Sequence, residues 1–221
     1  MKLLELFAGS RSVGNEADKL GFEVFSCDWS PFEKIDYVGD IENLTKDDIP
    51  FIPDVIWASP DCTTYSIAAI SHHRDNGTPK SEYAIKCDSV NKHFMELIKY
   101  YLELNPNLVY FIENPRGYFR KMDFVNNFIE DTDGVRQTVW YCKYKDERAK
   151  PTDIFTNSKT WIPRPMCKNG NQDCHHQRAP RGSKTGTQGR KGSYERSMIP
   201  KELCQEILNS LNHKGKITKE S

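Results

Sequence analysis

Short apolar runs alternate with amphipathic stretches along this chain, and the alternation predicts its elements. Leu3, Leu4 and Leu6 mark a first strand over residues 2–8, and a helix over 13–20 follows, stopped by Gly21. Glu23–Asp28 reads as a second strand closing on an acid, residues 38–41 as a short third, and Val55–Ala58 as a buried fourth that Pro60 ends. Phe94, Leu97, Ile98, Tyr101 and Leu102 follow the i, i+3, i+4, i+7, i+8 stripe of a helix over 93–104. Asn105-Pro106-Asn107 breaks it, and the unbroken apolar run 108–112 makes a fully buried fifth strand. Residues 137–143 and 153–157 read as later, antiparallel strands. Residues 200–211 form a last helix, with Pro200 suited to its first turn and Leu203, Ile207, Leu208 and Leu211 on its inner face. Strands alternating with helices argue for an α/β fold with a mostly parallel sheet.

Two stretches carry no period. Residues 71–81 are a polar loop close behind Cys62, and residues 163–197 are rich in Gly, Arg and Lys. Structureless segments of that length in a compact domain are functional or disordered. The 221 residues therefore divide into a Rossmann-like domain (1–159), a small basic appendage (160–197) and a C-terminal helix with a frayed tail (198–221) that returns to the first unit.

Charge sharpens this division. The net charge is zero, yet acids dominate up to Ser59, whereas Arg164, Lys168, Arg178, Arg181, Lys184, Arg190, Lys191 and Arg196 face only Asp173 and Glu195 further on. Such asymmetry points the basic segment toward a polyanion. Seven cysteines, odd in number and unevenly spaced, fit reduced thiols of a cytoplasmic protein rather than a disulfide framework. No apolar run is long enough to span a bilayer, and Met1 to Leu6 lacks the features of a signal peptide.

Chemistry concentrates at strand ends. Cys62 follows the fourth strand in Ser59-Pro60-Asp61-Cys62, where an open α/β sheet collects its active groups. A thiol is a strong nucleophile once its surroundings favour the thiolate, although most cysteines are merely small apolar residues. Phe7-Ala8-Gly9-Ser10 is a small-residue turn between strand and helix that lets a ligand approach the backbone. Asp28 ends the second strand, where ribose hydroxyls are bound; Trp29 offers a flat face for an adenine; and Asp40 is placed to read an exocyclic amine. The glycine fingerprint of dinucleotide binding is missing, which argues against a nicotinamide enzyme. Glu113 follows a run of apolar residues and is followed by Asn114-Pro115; acids are seldom buried without a partner. With the fourth and fifth strands as neighbours, Cys62 and Glu113 emerge at one rim. A thiol beside a desolvated carboxyl group can attack an electron-poor ring while a ring nitrogen is protonated. Cys167, Cys174, His175 and His176 invite a zinc reading, but the spacing is not Cys-x-x-Cys, and a full ligand set needs both histidines or Cys142. Free thiols, surface histidines and no metal are expected there.

In this order the motifs resemble those of the DNA cytosine-5 methyltransferases. Phe7-Ala8-Gly9 is similar to the family's cofactor turn, Asp28-Trp29 and Asp40-Ile41 to its ribose and adenine contacts, and Ser59-Pro60-Asp61-Cys62 to its nucleophile loop. Glu113-Asn114-Pro115 resembles its Glu-Asn motif, and Asp146 to Lys150 its Gln-x-Arg-x-Arg motif; roughly the first 157 residues are covered. The resemblance implies a class I S-adenosylmethionine-dependent methyltransferase, monomeric and acting on double-stranded DNA. Cofactor contacts would come from Phe7, Gly9, Ser10, Asp28, Trp29, Asp40, Ile41 and Pro60. Cys62 would add to C6 of a flipped-out cytosine, with Glu113 at N3, Asn114 bracing the loop, and Arg148 or Lys150 near O2. The loop 71–81, with His72, His73 and Arg74, would close over the base, and Arg11, where the family has a glycine-rich turn, would pair with the cofactor's carboxylate. The reduced recognition segment implies short or relaxed sequence specificity, of the kind a phage or mobile element would carry. RNA cytosine methylation with the same residues, and a catalytically silent nucleic-acid-binding protein, are the alternatives; a retained Cys62 and Glu113 argue against the silent one.

Overall fold

The computed structural model describes residues 1–167, 176 and 192–211. In chain order the elements are β1 (Lys2–Leu6), α1 (Ser12–Lys19), β2 (Glu23–Asp28), β3 (Tyr37–Val38), β4 (Val55–Ala58), α2 (Ile70–His73), β5 (Arg74–Asp75), β6 (Thr78–Pro79), α3 (Glu82–Leu104), β7 (Val109–Pro115), α4 (Asp123–Asp131), β8 (Val135–Trp140), β9 (Pro151–Thr156), α5 (Ser193–Ser197) and α6 (Lys201–Leu211). Seven strands form one sheet in the order β3-β2-β1-β4-β7-β9-β8. From β3 to β7 the pairing is parallel, and β9 runs antiparallel to both β7 and β8. Strand order reverses between β1 and β4, so a crevice opens at the carboxyl ends of these strands.

Side chains alternate between two cores because successive strand residues point to opposite faces. Leu4, Leu6, Ile56, Ala58, Tyr110 and Ile112 pack with Phe94, Ile98 and Phe128 on one face. Leu3, Val55, Trp57, Val109 and Phe111 pack with Val13, Ala17, Trp161, Leu203 and Ile207 on the other. Both faces are covered, which is why these strands read as unbroken apolar runs. Cys204 lies in the second core, and Cys27 and Cys87 in the first. Among the described residues no helix is long and apolar enough to cross a membrane.

Three local expectations are corrected. The long helix begins at Glu82, not near 93, capped by the Ser81 hydroxyl, which accepts from the Ala84 amide. Its first turns bury Ala84, Cys87, Asp88 and Asn91, so their inward stripe is small and polar. The loop 71–81 is instead a helical turn and a tight hairpin, with Asn76 and Gly77 at φ 47° and 92°, the left-handed pair that an Asn-Gly turn supplies. The amphipathic helix α4 buries Val125 and Phe128 where none was expected.

Glu5 is buried at the start of α1, and its carboxylate accepts from the Val13 and Gly14 amides and the Ser26 hydroxyl. A Cβ at Gly14 would press on this carboxylate and on the Arg11 side chain, so a larger residue there would have to push them aside. Burial nevertheless dominates and lifts Glu5 from 4.5 to about 7. The protonated form is thus favoured by folding: its stabilisation is complete below pH 4.5 and is lost as pH rises through about 7. Glu5→Gln is expected to remove that loss, of about 3 kcal/mol. Urea unfolding of both proteins at pH 5 and pH 8 measures it, and parallel pH dependence in the two would refute the assignment.

Candidate active site

The segment after β4 is held from several sides. The Ser59 amide donates to the Leu6 carbonyl (3.2 Å), and the Trp57 indole donates to the Ser59 hydroxyl (2.8 Å). Asp61 accepts from the Thr63 amide (2.5 Å) and from the Tyr83 phenol (2.6 Å). Cys62 precedes a 3-10 turn, Thr63–Tyr65, whose Tyr65 amide donates to the Cys62 carbonyl. Beneath it the Tyr65 phenol donates to Asp88, the Asn91 amide donates to that phenol, and the Arg74 guanidinium lies 4.2 Å over the Tyr65 ring. Arg74 also pairs with both oxygens of Asp88 and donates to the Thr64 carbonyl and hydroxyl. Arg74 is 3% exposed, so it is an anchor of the nucleophile loop rather than part of a lid over a base. His72 stays exposed, and His73 reaches the Ser81 hydroxyl at 2.9 Å.

Register brings the second group alongside. Ala58 pairs with Ile112, the last β4 pair, so Glu113 is the first residue of β7 beyond that pairing, at the rim where the Cys62 loop leaves β4. Glu113 is 5% exposed, and its carboxylate accepts from the Tyr141 phenol at 2.7 Å and faces the Lys150 ammonium at 3.5 Å. Burial first, then Glu113, holds Tyr141 well above its ordinary pKa, so it remains a phenol able to donate. Burial also pushes the Cys62 thiol up to about 11; Lys150 pulls it down, while Glu113 and Asp61 push it further up. Thiol, carboxylate and ammonium therefore feel one another directly. Asn114 donates to the Pro60 carbonyl at 3.1 Å and ties the two loops together. Its Oδ1 is buried without a hydrogen-bond partner among the described residues, a costly state that a bound water or ligand donor would relieve.

Of the two basic residues expected near the base, only Lys150 reaches Glu113. The buried Arg148 is spent on Asp146 (2.5 Å) and on the carbonyls of Arg196 (3.0 Å) and Met198 (2.8 Å), which fastens the chain leading into α6. Tyr141 escaped the sequence reading because nothing separates it from the core aromatics around it.

At the other end of the crevice the β1–α1 turn has positive φ at Phe7 (57°), Gly9 (49°) and Arg11 (55°). The Gly9 amide donates to Asp28 Oδ2 (2.8 Å) and the Ser30 amide to Asp28 Oδ1 (2.9 Å). Phe7 packs edge-on against Phe94, and the Ser10 and Ser12 hydroxyls lie 2.7 Å apart. Trp29 is 77% exposed. Asp40 caps the turn Ile41–Asn43 through the Glu42 amide and pairs with Lys86 at 2.7 Å, while Ile41 is core. Arg11 does not face the crevice: its buried guanidinium binds Asp18 (2.6 Å) and the Ser26 hydroxyl (2.9 Å), which overturns its expected pairing with a cofactor carboxylate. Arg164 is likewise not free for phosphate, because Glu202 and Glu206 take its charge. Lys168, Cys174, His175, Arg178, Arg181, Lys184, Arg190 and Lys191 lie outside the described residues.

No family model matches the chain. It is 28% identical over 229 residues to the "Probable DNA (cytosine-5)-methyltransferase" of Frog virus 3 (isolate Goorha), across 95% of this chain and 99% of the viral protein. Its structure is similar to that of the Entamoeba histolytica methyltransferase EhMeth, with a TM-score of 0.55 at 14% identity over 75% of this chain and 56% of that one. It is also similar to the S. pombe Dnmt2 methyltransferase, with a TM-score of 0.51 at 15% identity over 74% of this chain and 52% of that one. The chain thus spans about half the length of those two structures. The fold is the class I methyltransferase fold.

A class I methyltransferase fold implies S-adenosylmethionine, and the residues at the β1 and β2 ends fit it. Asp28 uses one lone pair of each oxygen on a backbone amide and keeps others for hydroxyl donors. Trp29 leaves an aromatic face open to stacking, and the left-handed backbone at Gly9 brings the main chain to the crevice without a side chain. Asp40 fits less readily, since Lys86 and its own turn already occupy it.

Proposed function

We propose that this protein is a cytosine-5 methyltransferase that uses S-adenosylmethionine and acts on double-stranded DNA. One observation carries the reading: the Cys62 loop and Glu113 lie where the β4–β7 pairing ends, at one rim, with Lys150 3.5 Å from Glu113 and its charge favouring the Cys62 thiolate. The frog virus relative, matched along nearly its whole length, supports DNA as the polymer.

In the mechanism this supports, the target cytosine is turned out of the duplex into the rim. Once its thiol proton has passed to solvent, Cys62 adds through Sγ to C6, and the ring's electron pair moves toward C5 and N3. Glu113 holds the proton at N3 and accepts from the exocyclic amine, so that negative charge does not accumulate on the ring. Tyr141 and Lys150 keep that carboxyl group in place by donating to Oε1. Asn114 holds the two loops in register through Pro60. Bound at Asp28, Trp29 and the β1–α1 turn, S-adenosylmethionine supplies an electrophilic methyl group for C5. Loss of the C5 proton to a base or water then breaks the Sγ–C6 bond and frees Cys62.

A duplex carrying 5-fluorocytosine blocks that last step, because C5 then holds no removable proton. With labelled S-adenosylmethionine, a covalent adduct on Cys62, located by peptide mass spectrometry, is the expected result. An adduct on fluorocytosine RNA but not on DNA would move the substrate to RNA. Methyl transfer without an adduct on either polymer would rule out the mechanism, and no transfer at all would leave a binding protein.

A further inference from the structure

One residue along from Tyr141 lies a second cluster of reactive side chains that the proposed reaction does not use. Cys142 sits on the 3-10 turn Tyr141–Tyr144, and the chain returns to it with Cys167 and His176 at the head of the basic segment. The ligand atoms of the three residues all lie within 4.8 Å of one another, with Cys167 Sγ and His176 Nδ1 3.7 Å apart. In a tetrahedral zinc site, bonds of roughly 2.3 Å to sulfur and 2.0 Å to nitrogen put such a pair roughly 3.6 Å apart. A thiol–imidazole hydrogen bond would explain Cys167 and His176 alone; it does not require a second thiol brought in from the turn after β8. Cys142 is buried while the other two are partly open, so an ion there would be shielded on the domain side and reachable from solvent.

We propose that Cys142, Cys167 and His176 bind one zinc ion. Two thiolates and an imidazole are the donors zinc prefers and that magnesium and calcium avoid. The fourth tetrahedral position goes to water or a further donor. The sequence leaves the ligand set open because its ligands do not follow a Cys-x-x-Cys spacing: one comes from the turn after β8, and the fold delivers the other two to it. The ion's work is mechanical. It ties the turn that holds Tyr141 against Glu113 to the head of the basic segment, so that the segment starts from a fixed point beside the rim.

Metal analysis of the full chain, purified under reducing conditions without chelator, is expected to find about one zinc per chain. Cys142→Ser and His176→Ala should each lose most of it, while Cys87→Ala, changed at a buried cysteine of the first core, should keep it. Cobalt added to the chelated wild-type chain should give visible bands of a tetrahedral ion and a thiolate charge-transfer band, both reversed by zinc. This titration decides the matter even should a variant fail to fold. Absent cobalt bands, or zinc retained by both variants, would each overturn the proposal.

Discussion

Cys62→Ala is expected to stop methyl transfer, lowering the turnover rate by roughly 10⁴-fold or more, because among the described residues no other thiol lies at the rim to add to a pyrimidine ring. Glu113→Gln should cost less, roughly 10²- to 10³-fold, since the amide can still accept from Tyr141 but cannot hand a proton to N3. Both losses belong in kcat, with duplex binding nearly unchanged, because neither a thiol nor a buried carboxyl group attracts phosphate. The thiol's own state makes a separate test. With burial lifting it to about 11, only about one chain in 10⁴ carries the thiolate at pH 7. Alkylation of Cys62 in the free protein should therefore be slow at neutral pH and climb toward pH 11. Lys150→Met, which removes the favourable charge, should slow it further. A Cys62 that alkylates as fast as a free thiol at pH 7 would refute the effect of burial on the thiol, and a Cys62→Ala variant with undiminished turnover would remove the nucleophile from the reaction.

Arg74→Ala carries the largest expected loss of stability. Its guanidinium side chain is fully buried, paired with Asp88 and hydrogen-bonded to Thr64, and it stacks on Tyr65. Removing it leaves the Asp88 carboxylate buried without a counter-charge, a change that costs roughly 3–5 kcal/mol. The turn Thr63–Tyr65 rests on this network, so activity should fall even at temperatures where the variant remains folded. The double variant Arg74→Met with Asp88→Leu should recover most of the stability, because it takes away the stranded charge along with its partner. Chemical denaturation of the two singles and the double closes the cycle. A loss under about 1 kcal/mol in Arg74→Ala would mean that the network does not hold the loop.

How far residues spoke for themselves depended on whether their neighbours were local. β2, β4 and α6 were legible because apolar periodicity is a property of consecutive residues, and so was Glu113, since an acid closing an apolar run is conspicuous. The first half of α3 was not, because its inward positions Ala84, Cys87, Asp88 and Asn91 look like a solvated face until Arg74 and Tyr65 are brought against them. Arg11 and Arg74 were read as hands for a cofactor and a base. A free arginine and a buried one have the same letter; only Asp18 and Asp88, supplied by the fold, spend their charge inside. The Asn76-Gly77 turn was legible in principle, as its left-handed geometry is local, and a polar composition masked it.

By itself the sequence determined the alternating α/β order, the two apolar strand ends that deliver Cys62 and Glu113, and the motif order shared with cytosine-5 methyltransferases. These follow from side-chain period and backbone preference, which act over a few residues. Only the tertiary structure decided that Tyr141 and Lys150 hold Glu113, that Arg148 donates to the carbonyls leading into the C-terminal helix, and that Cys142, Cys167 and His176 share one spot. Those pairings join residues far apart in the chain. Their mutual attraction offsets the cost of taking charges and thiols out of water, a balance set by partners that no local pattern records.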